Sequence, residues 1–278
     1  MSLEVPASAL PSRKFRLTIL YLLGTIASMS LLFWYLGVNP SSFWVDFRFI
    51  VDLAQQMLPP HMSLLWANFW TKDSVILSLI ETLSMAFLAT VCGGAIALFL
   101  AFFAATNTTP HPLVRLAVRT LLVMTRSVPH LIVILVLLVA VGIGPFAGVL
   151  TLTFASVGMY GKFFADSIEQ ADKSMMESVE SVGSTRMQTI RFAVLPQVMP
   201  SFVANLFYAF DHNLRAAIPL GVFGGGGIGF QLEFAHGLLH YKDVIAYTIL
   251  IVVLITGMER ISDWVRRSII TQPQLIAK

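Results

Sequence analysis

Residues 169–200, EQADKSMMESVESVGSTRMQTIRFAVLPQVMP, are the longest markedly polar stretch lying between two apolar spans. Helical spacing puts Met175, Met176, Val179 and Val182 on one face and Asp172, Lys173, Glu177 and Glu180 largely on the others, so the first half reads as an amphipathic helix. Gly183 interrupts that pattern. Ser184 and Thr185 can then cap a second short helix, which carries Met187, Ile190 and Val194 and runs into Leu195-Pro196. The order is helix, turn, helix, then a membrane span. Periodicity alone favours a surface helix lying among lipid headgroups.

Outward from this stretch, the composition is that of an integral membrane protein. Of 278 residues, 56% are hydrophobic and only 12% charged, and the mean hydropathy is +0.79, far from a soluble domain. The one cysteine, Cys92, lies inside an apolar run. It can form neither an intrachain disulfide framework nor a cysteine-based zinc site, and its expected place is that of a small buried hydrophobe. An isoelectric point near 9.1 would suit nucleic acid. The cations, however, are scattered among short loops flanking apolar spans, as topology requires, and no nucleic-acid partner is expected.

Residues 1–16 are polar and end in Arg13, Lys14 and Arg16. The apolar stretch 17–38 is long enough, at roughly 20 residues, to cross a bilayer, and it exceeds the about 7 to 15 residues of a signal-peptide core, so an uncleaved first span is expected. Residues 39–73 hold Pro59-Pro60, Trp44, Trp66 and Trp70 and no run long enough to span. With Trp34 at the end of the first span, they suggest an interfacial connection with an aromatic belt. Residues 74–266 supply five further expected spans: Val75–Ala105, Pro129–Ile143, Phe146–Phe164, Pro200–Val222 and Val244–Trp264. A basic amphipathic piece with Arg115, Arg119 and Arg126 precedes the second of these, the polar loop 165–199 follows the third, and 267–278 form a tail. Small residues are scattered along these spans, as helices packing in lipid require.

Six spans put both termini on one side. Of the 18 Lys and Arg, Arg48, Lys72 and Lys242 fall on the other side and Arg215 lies within a span; the rest share the side of the termini. By the positive-inside rule the termini and the polar loop are cytoplasmic.

Several motifs lead away from catalysis. The run Gly224–Gly229 has dinucleotide-like glycines but follows a membrane span rather than a strand, and no G-x-x-x-x-G-K-[ST] occurs, so this chain is not expected to hydrolyse ATP. The glycines read as a flexible, closely packed outer turn or a gate hinge. His236 and His240 could share a helical face, but with no third ligand nearby no metal is expected. Asp166, Glu169 and Asp172 sit where a cytosolic helix needs a solvated face, and no nucleophile, base and orienter stand together.

Ionisable residues inside spans remain: Glu81 in the longest run, and Asp211 and Arg215 near His212 and Asn213. Each such charge costs about 2.5 to 3.5 kcal/mol at a helix centre, so Asp211 and Arg215, four apart on one face, are expected to pair. Either the pair locks its span, or Arg215 supplies positive potential on an anion route while Asp211 holds its guanidinium. Pro129 should mark a kink or helix start, with Arg126 facing headgroups or the polar loop.

Glu177-Ser178-Val179, Gly183 six residues on and Leu195-Pro196 resemble the EAA loop of ABC importer permeases. Ser178 and Val179 stand where that family has two alanines, and Ala193 where it usually has Ile. Arg126-Ser127-Val128-Pro129, Gly142-Ile143-Gly144-Pro145-Phe146-Ala147-Gly148, Asn213-Leu214-Arg215 and Gly226-Gly227-Ile228-Gly229 extend the resemblance over residues 74–266, to permeases of the phosphonate and phosphite importers. The resemblance implies an all-α integral membrane protein with six transmembrane helices, of the type I, MetI-like permease architecture, in a bacterial inner membrane. It would form the path for a small phosphorus oxyanion such as phosphonate, phosphite or hypophosphite. Glu177, Gly183, Leu195 and Pro196 would couple it to its motor. Glu81, Arg126, Pro129, Asp211, Asn213, Arg215, Gly226, Gly227 and Gly229 are the path or gate candidates. No cofactor is implied in this chain; ATP and Mg would sit on two separate ATPase subunits, and the other partners would be a periplasmic binding protein and a second permease copy. The alternatives are the same fold importing methionine or a quaternary amine, and a membrane-embedded lipid-phosphate enzyme.

Overall fold

The computed structural model describes residues 13–37, 42–65 and 74–270. The run 1–12, Trp66, Trp70 and Lys72 of the expected interfacial connection, and the tail 271–278 lie outside the described residues. The chain divides into two units, Met1–Leu58 and Pro59–Lys278. In the first, α1 (Arg13–Tyr35) covers the stretch expected as the first span, and its described side chains are all exposed. A second helix, α2 (Ser42–Met57), stands where only a connection was expected; it presents Phe47, Phe49 and Ile50 beside Arg48 and Asp52, the mixed surface of an interfacial helix.

The second unit is a helical bundle. Its first helix, α3 (Val75–Ala104), is started by Ser74, whose hydroxyl accepts from the Leu77 N–H at 3.4 Å. At 30 residues, about 45 Å, it exceeds the hydrocarbon thickness. Next come α4 (Pro112–Ser127) and α5 (His130–Val141), which bend by 89° at Val128-Pro129. Pro129 lacks an N–H and forces Val128 into extended backbone, so the ladder stops there. The expected span Pro129–Ile143 is therefore corrected: α5 alone is 12 residues, about 18 Å, too short to cross.

The remaining elements are α6 (Pro145–Glu169), α7 (Lys173–Ser181), α8 (Arg186–Thr189), α9 (Leu195–Leu220), α10 (Gly227–Gly237) and α11 (Tyr241–Ile270). Wide turns at Ile190–Val194 and Gly221–Gly225 extend α8 and α9 into one rod, Arg186–Gly225. Among the described residues four helices are long and apolar enough to cross a membrane: α1, α3, this rod and α11; the α4–α5 pair, bent by 89°, adds a fifth only if it is one broken span rather than a re-entrant loop. The expected span Phe146–Phe164 corresponds to α6, whose 25 residues suffice in length. Its face is rich in Gly, Ala, Ser and Thr because protein encloses it; Ala147, Thr151, Ala155, Ser156, Gly158 and Gly161 are all buried.

Small residues set the core. Ala86, Ala89, Ala97 and Ala101 of α3 are fully buried, and a Cβ at Gly93 would stand 2.6 Å from that of Ser156 on α6. Without apolar solvent exclusion between helices in lipid, close backbone approach and interhelical hydrogen bonds hold the bundle. Larger side chains, Tyr160, Phe164 and Phe202, fill the end of the core near α7. Cys92, expected to be buried, is instead exposed on α3, since the inward positions of that turn are taken by Ala89, Gly93 and Gly94.

Candidate functional site

The polar loop folds as the spacing predicts, as two short helices about a glycine. Asp172 caps α7, its carboxylate accepting from the Ser174 N–H at 2.8 Å. Gly183 ends it with φ +79°, its N–H donating to the Glu180 carbonyl at 2.9 Å; that left-handed angle is what only glycine adopts without strain. The Thr185 N–H then donates to Gln188 Oε1 at 2.7 Å, half of a capping box at the start of α8. In the wide turn that follows, the Leu195 N–H reaches back to the Ile190 carbonyl, and Pro196 begins α9, where a missing N–H matters least.

The roots of this loop are fastened to the bundle. The Asp172 N–H donates to Gln197 Oε1 at 2.8 Å, Asn107 Nδ2 donates to the Ile168 carbonyl at 2.6 Å, and the Arg186 guanidinium donates to the Thr109 carbonyl. Glu169 accepts from Arg119 at 2.6 Å and from the Thr106 N–H at 2.7 Å, while Arg119 Nε also closes the end of α3 through the Ala104 carbonyl at 2.8 Å. Glu169 was expected as a solvated charge; it is a staple joining α3, α4 and α6. The tip is open by contrast. Glu177 is exposed, and the apolar face is divided: Met176 packs inward, whereas Met175, Val182 and Met187 are 50%, 82% and 73% exposed.

A second constellation lies between α9 and α11. The expected Asp211–Arg215 pair is not formed. Instead each reaches across to α11: Ser262 donates to Asp211 Oδ1 at 2.7 Å, Arg266 lies 3.5 Å from Asp211 Oδ2, and Arg215 pairs with Glu259. Residues four apart on one helix can pair, but here the facing helix offers each charge an opposite partner, and the i,i+4 contact gives way. Tyr208, His212 and Asp263 complete a polar crevice of about 330 Å³ around these groups. Glu259, Ser262 and Arg266 were not legible as partners, because they sit in the polar end of an otherwise apolar helix whose rotation about its axis periodicity does not fix.

Asn213 is also relocated. It is 2% exposed; its Nδ2 donates to Thr90 Oγ1 on α3 at 2.9 Å, and its amide exchanges hydrogen bonds with Ser156 on α6 at 3.0 and 3.1 Å. It ties three helices together and does not line the crevice. Arg126 is exposed in the last turn of α4, where a cation suits the helix dipole.

Glu81 and the glycines meet at the other end of the rod. Gly224, Gly226 and Gly227 have φ of +100°, +79° and +70°. The Gly227 N–H donates to Glu81 Oε2 at 2.7 Å and the Ile228 N–H to Thr82 Oγ1 at 2.9 Å, so Glu81 and Thr82 together satisfy the start of α10. A Cβ at Gly226 would sit 2.9 Å from the Pro145 ring, and Gly229 packs on Gly221. The close packing expected of this glycine turn is found: the glycines serve close approach.

Residues 97–271 match the family described as binding-protein-dependent transport system inner membrane component. The chain belongs to that family. This permease is 38% identical to the phosphite transport system permease protein PtxC of Stutzerimonas stutzeri, over 84% of this chain and 83% of that one. It is 40% identical to the phosphate-import permease protein PhnE of Mycolicibacterium smegmatis, over 78% of this chain but 40% of the relative. Among solved structures, the permease superposes on a chain of the MetNI methionine ABC transporter in inward-facing conformations with TM-score 0.61 at 20% identity, over 70% of this chain and 95% of that one. At that identity the likeness speaks for the fold.

Proposed function

We propose that the permease is the membrane-spanning subunit of an ATP-driven importer for a small phosphorus oxyanion, phosphonate, phosphite or hypophosphite, delivered by a periplasmic binding protein. The similarity to a phosphite permease across most of both chains carries the substrate class. ATP and Mg would be held by two ATPase subunits docked on the exposed tip of α7 and α8, with Glu177 and the outward Met175, Val182 and Met187 as the contact and Gly183 as the turn that presents them. A second permease copy would complete the path, and both termini and the α7–α8 loop would be cytoplasmic.

The geometry suggests how motion would pass. The rod Arg186–Gly225 begins at the docking tip, carries Asp211 and Arg215 about two thirds of the way along and ends at the glycine junction capped by Glu81. A push on α7 and α8 would tilt this rod against α11, exchanging the pairs of Arg215 and Asp211 and presenting the Arg215 guanidinium to the anion. Uptake of phosphite and of methionine by liposomes holding the permease, its ATPase and its binding protein tests the reading. ATP-dependent phosphite uptake is expected; methionine uptake alone, or turnover of a lipid phosphate by the permease without its ATPase, would replace it.

A further inference from the structure

A small cavity of about 130 Å³ opens between α4 and α6 near the α7 end of the bundle, and its polar lining is mostly cationic: Arg119, Arg126 and Lys162, with Asp166 the one acid. Arg119 is already engaged by Glu169 at 2.6 Å. Arg126 and Lys162 are exposed and have no hydrogen bond or ion pair among the described residues. Two free cations beside one free carboxylate leave one positive charge over a space large enough for a phosphate group.

The depth of the cavity selects the ligand. Lys162 stands 17 residues, about 26 Å, along α6 from Pro145, close to the edge of a hydrocarbon layer about 30 Å thick. On the same α4 that bears Arg126, Leu121, Val123 and Met124 are exposed, an apolar surface on which an acyl chain can lie. Gly158 makes the cleft possible, since a Cβ there would stand 2.8 Å from the Arg126 backbone nitrogen. We propose that this cleft binds the headgroup phosphate of an anionic phospholipid, Arg126 and Lys162 taking the phosphodiester oxygens while an acyl chain lies along α4. The monoanion would neutralise the site, and the lipid would brace the α4–α6 seam that Arg119 and Glu169 already staple. Basic pockets between membrane helices are suited to such headgroups.

Spin-labelled phosphatidylglycerol and phosphatidylcholine, each added to the full-length permease in phosphatidylcholine nanodiscs, give the immobilised fraction by electron paramagnetic resonance. Phosphatidylglycerol should be retained in preference, and Arg126→Gln with Lys162→Gln should lower that preference about 30-fold, equivalent to about 2 kcal/mol. Asp166→Asn should raise it, a gain of binding that misfolding does not mimic. Arg260→Gln, an exposed cation outside the cleft, should leave it unchanged. Equal loss with Arg260→Gln, or no loss with the double variant, would overturn the site. Displacement of the labelled lipid by millimolar inorganic phosphate would reassign the cleft to a free oxyanion.

Discussion

Replacing Asn213 by Leu separates a tie between helices from a residue of the transport path. The side chain is 2% exposed and joins α9 to Thr90 on α3 and to Ser156 on α6. Interhelical hydrogen bonds in membranes are worth about 0.6 kcal/mol each on average and at most about 1.7, so losing both partners destabilises by about 1 to 3 kcal/mol. For a unit of this size that lowers the melting temperature by about 3 to 10 °C. Thr90 keeps its bond to the Ala86 carbonyl at 2.7 Å, while Ser156 loses the partner it has here. Making the site wholly apolar, with Thr90→Val and Ser156→Ala added to Asn213→Leu, should recover most of the loss, because removing all partners together leaves no unsatisfied group. The assay is thermal unfolding of the purified permease in detergent, followed by monodispersity on size exclusion, with uptake measured on the same preparations. Normal melting with abolished uptake would refute the tie and return Asn213 to the path.

Gly183→Ala should insert and fold normally, because nothing lies within 4 Å of a Cβ there and the penalty is the left-handed angle, about 1 to 2 kcal/mol locally; Gly183→Leu should abolish substrate-stimulated ATPase in the assembled complex, and normal stimulation would count against the docking role. Arg215→Ala should leave assembly and basal ATPase intact and impair uptake, whereas Glu259→Gln, which frees the guanidinium, should keep uptake; equal loss in both would make their pair structural. Gly229→Ala should lower expression and melting temperature by an overpacking penalty of about 1 to 3 kcal/mol, since its Cβ would press on the Ile218 carbonyl and on the Gly221 Cα at 3.1 Å; unchanged melting would show that the junction yields.

What the sequence made legible was whatever is local. The spacing around Gly183 foretold two short helices, and Pro129 foretold a break, because capping, positive φ and a missing N–H act within one turn. The bend itself was not legible: nothing local sets the 89° between α4 and α5, both of which pack on α6. Asp211 and Arg215 were correctly singled out as charges needing compensation, but their partners sit about 50 residues away, on α11. Glu81 was likewise visible as an intramembrane acid, while its place at the start of α10 depends on a contact 146 residues distant. Glu169 looked like an ordinary solvated charge because its staple to Arg119 spans 50 residues.

Under the proposed function this chain would conduct a phosphorus oxyanion only when an ATPase drives it. Phosphite uptake by proteoliposomes, with and without the ATPase subunits and with the binding protein supplied on the outside, tests it most directly. Uptake should require ATP, both partners and an intact Gly183 turn, and the permease alone should hydrolyse no ATP. Phosphite accumulation without the ATPase, or ATP-driven methionine uptake with phosphite excluded, would contradict it.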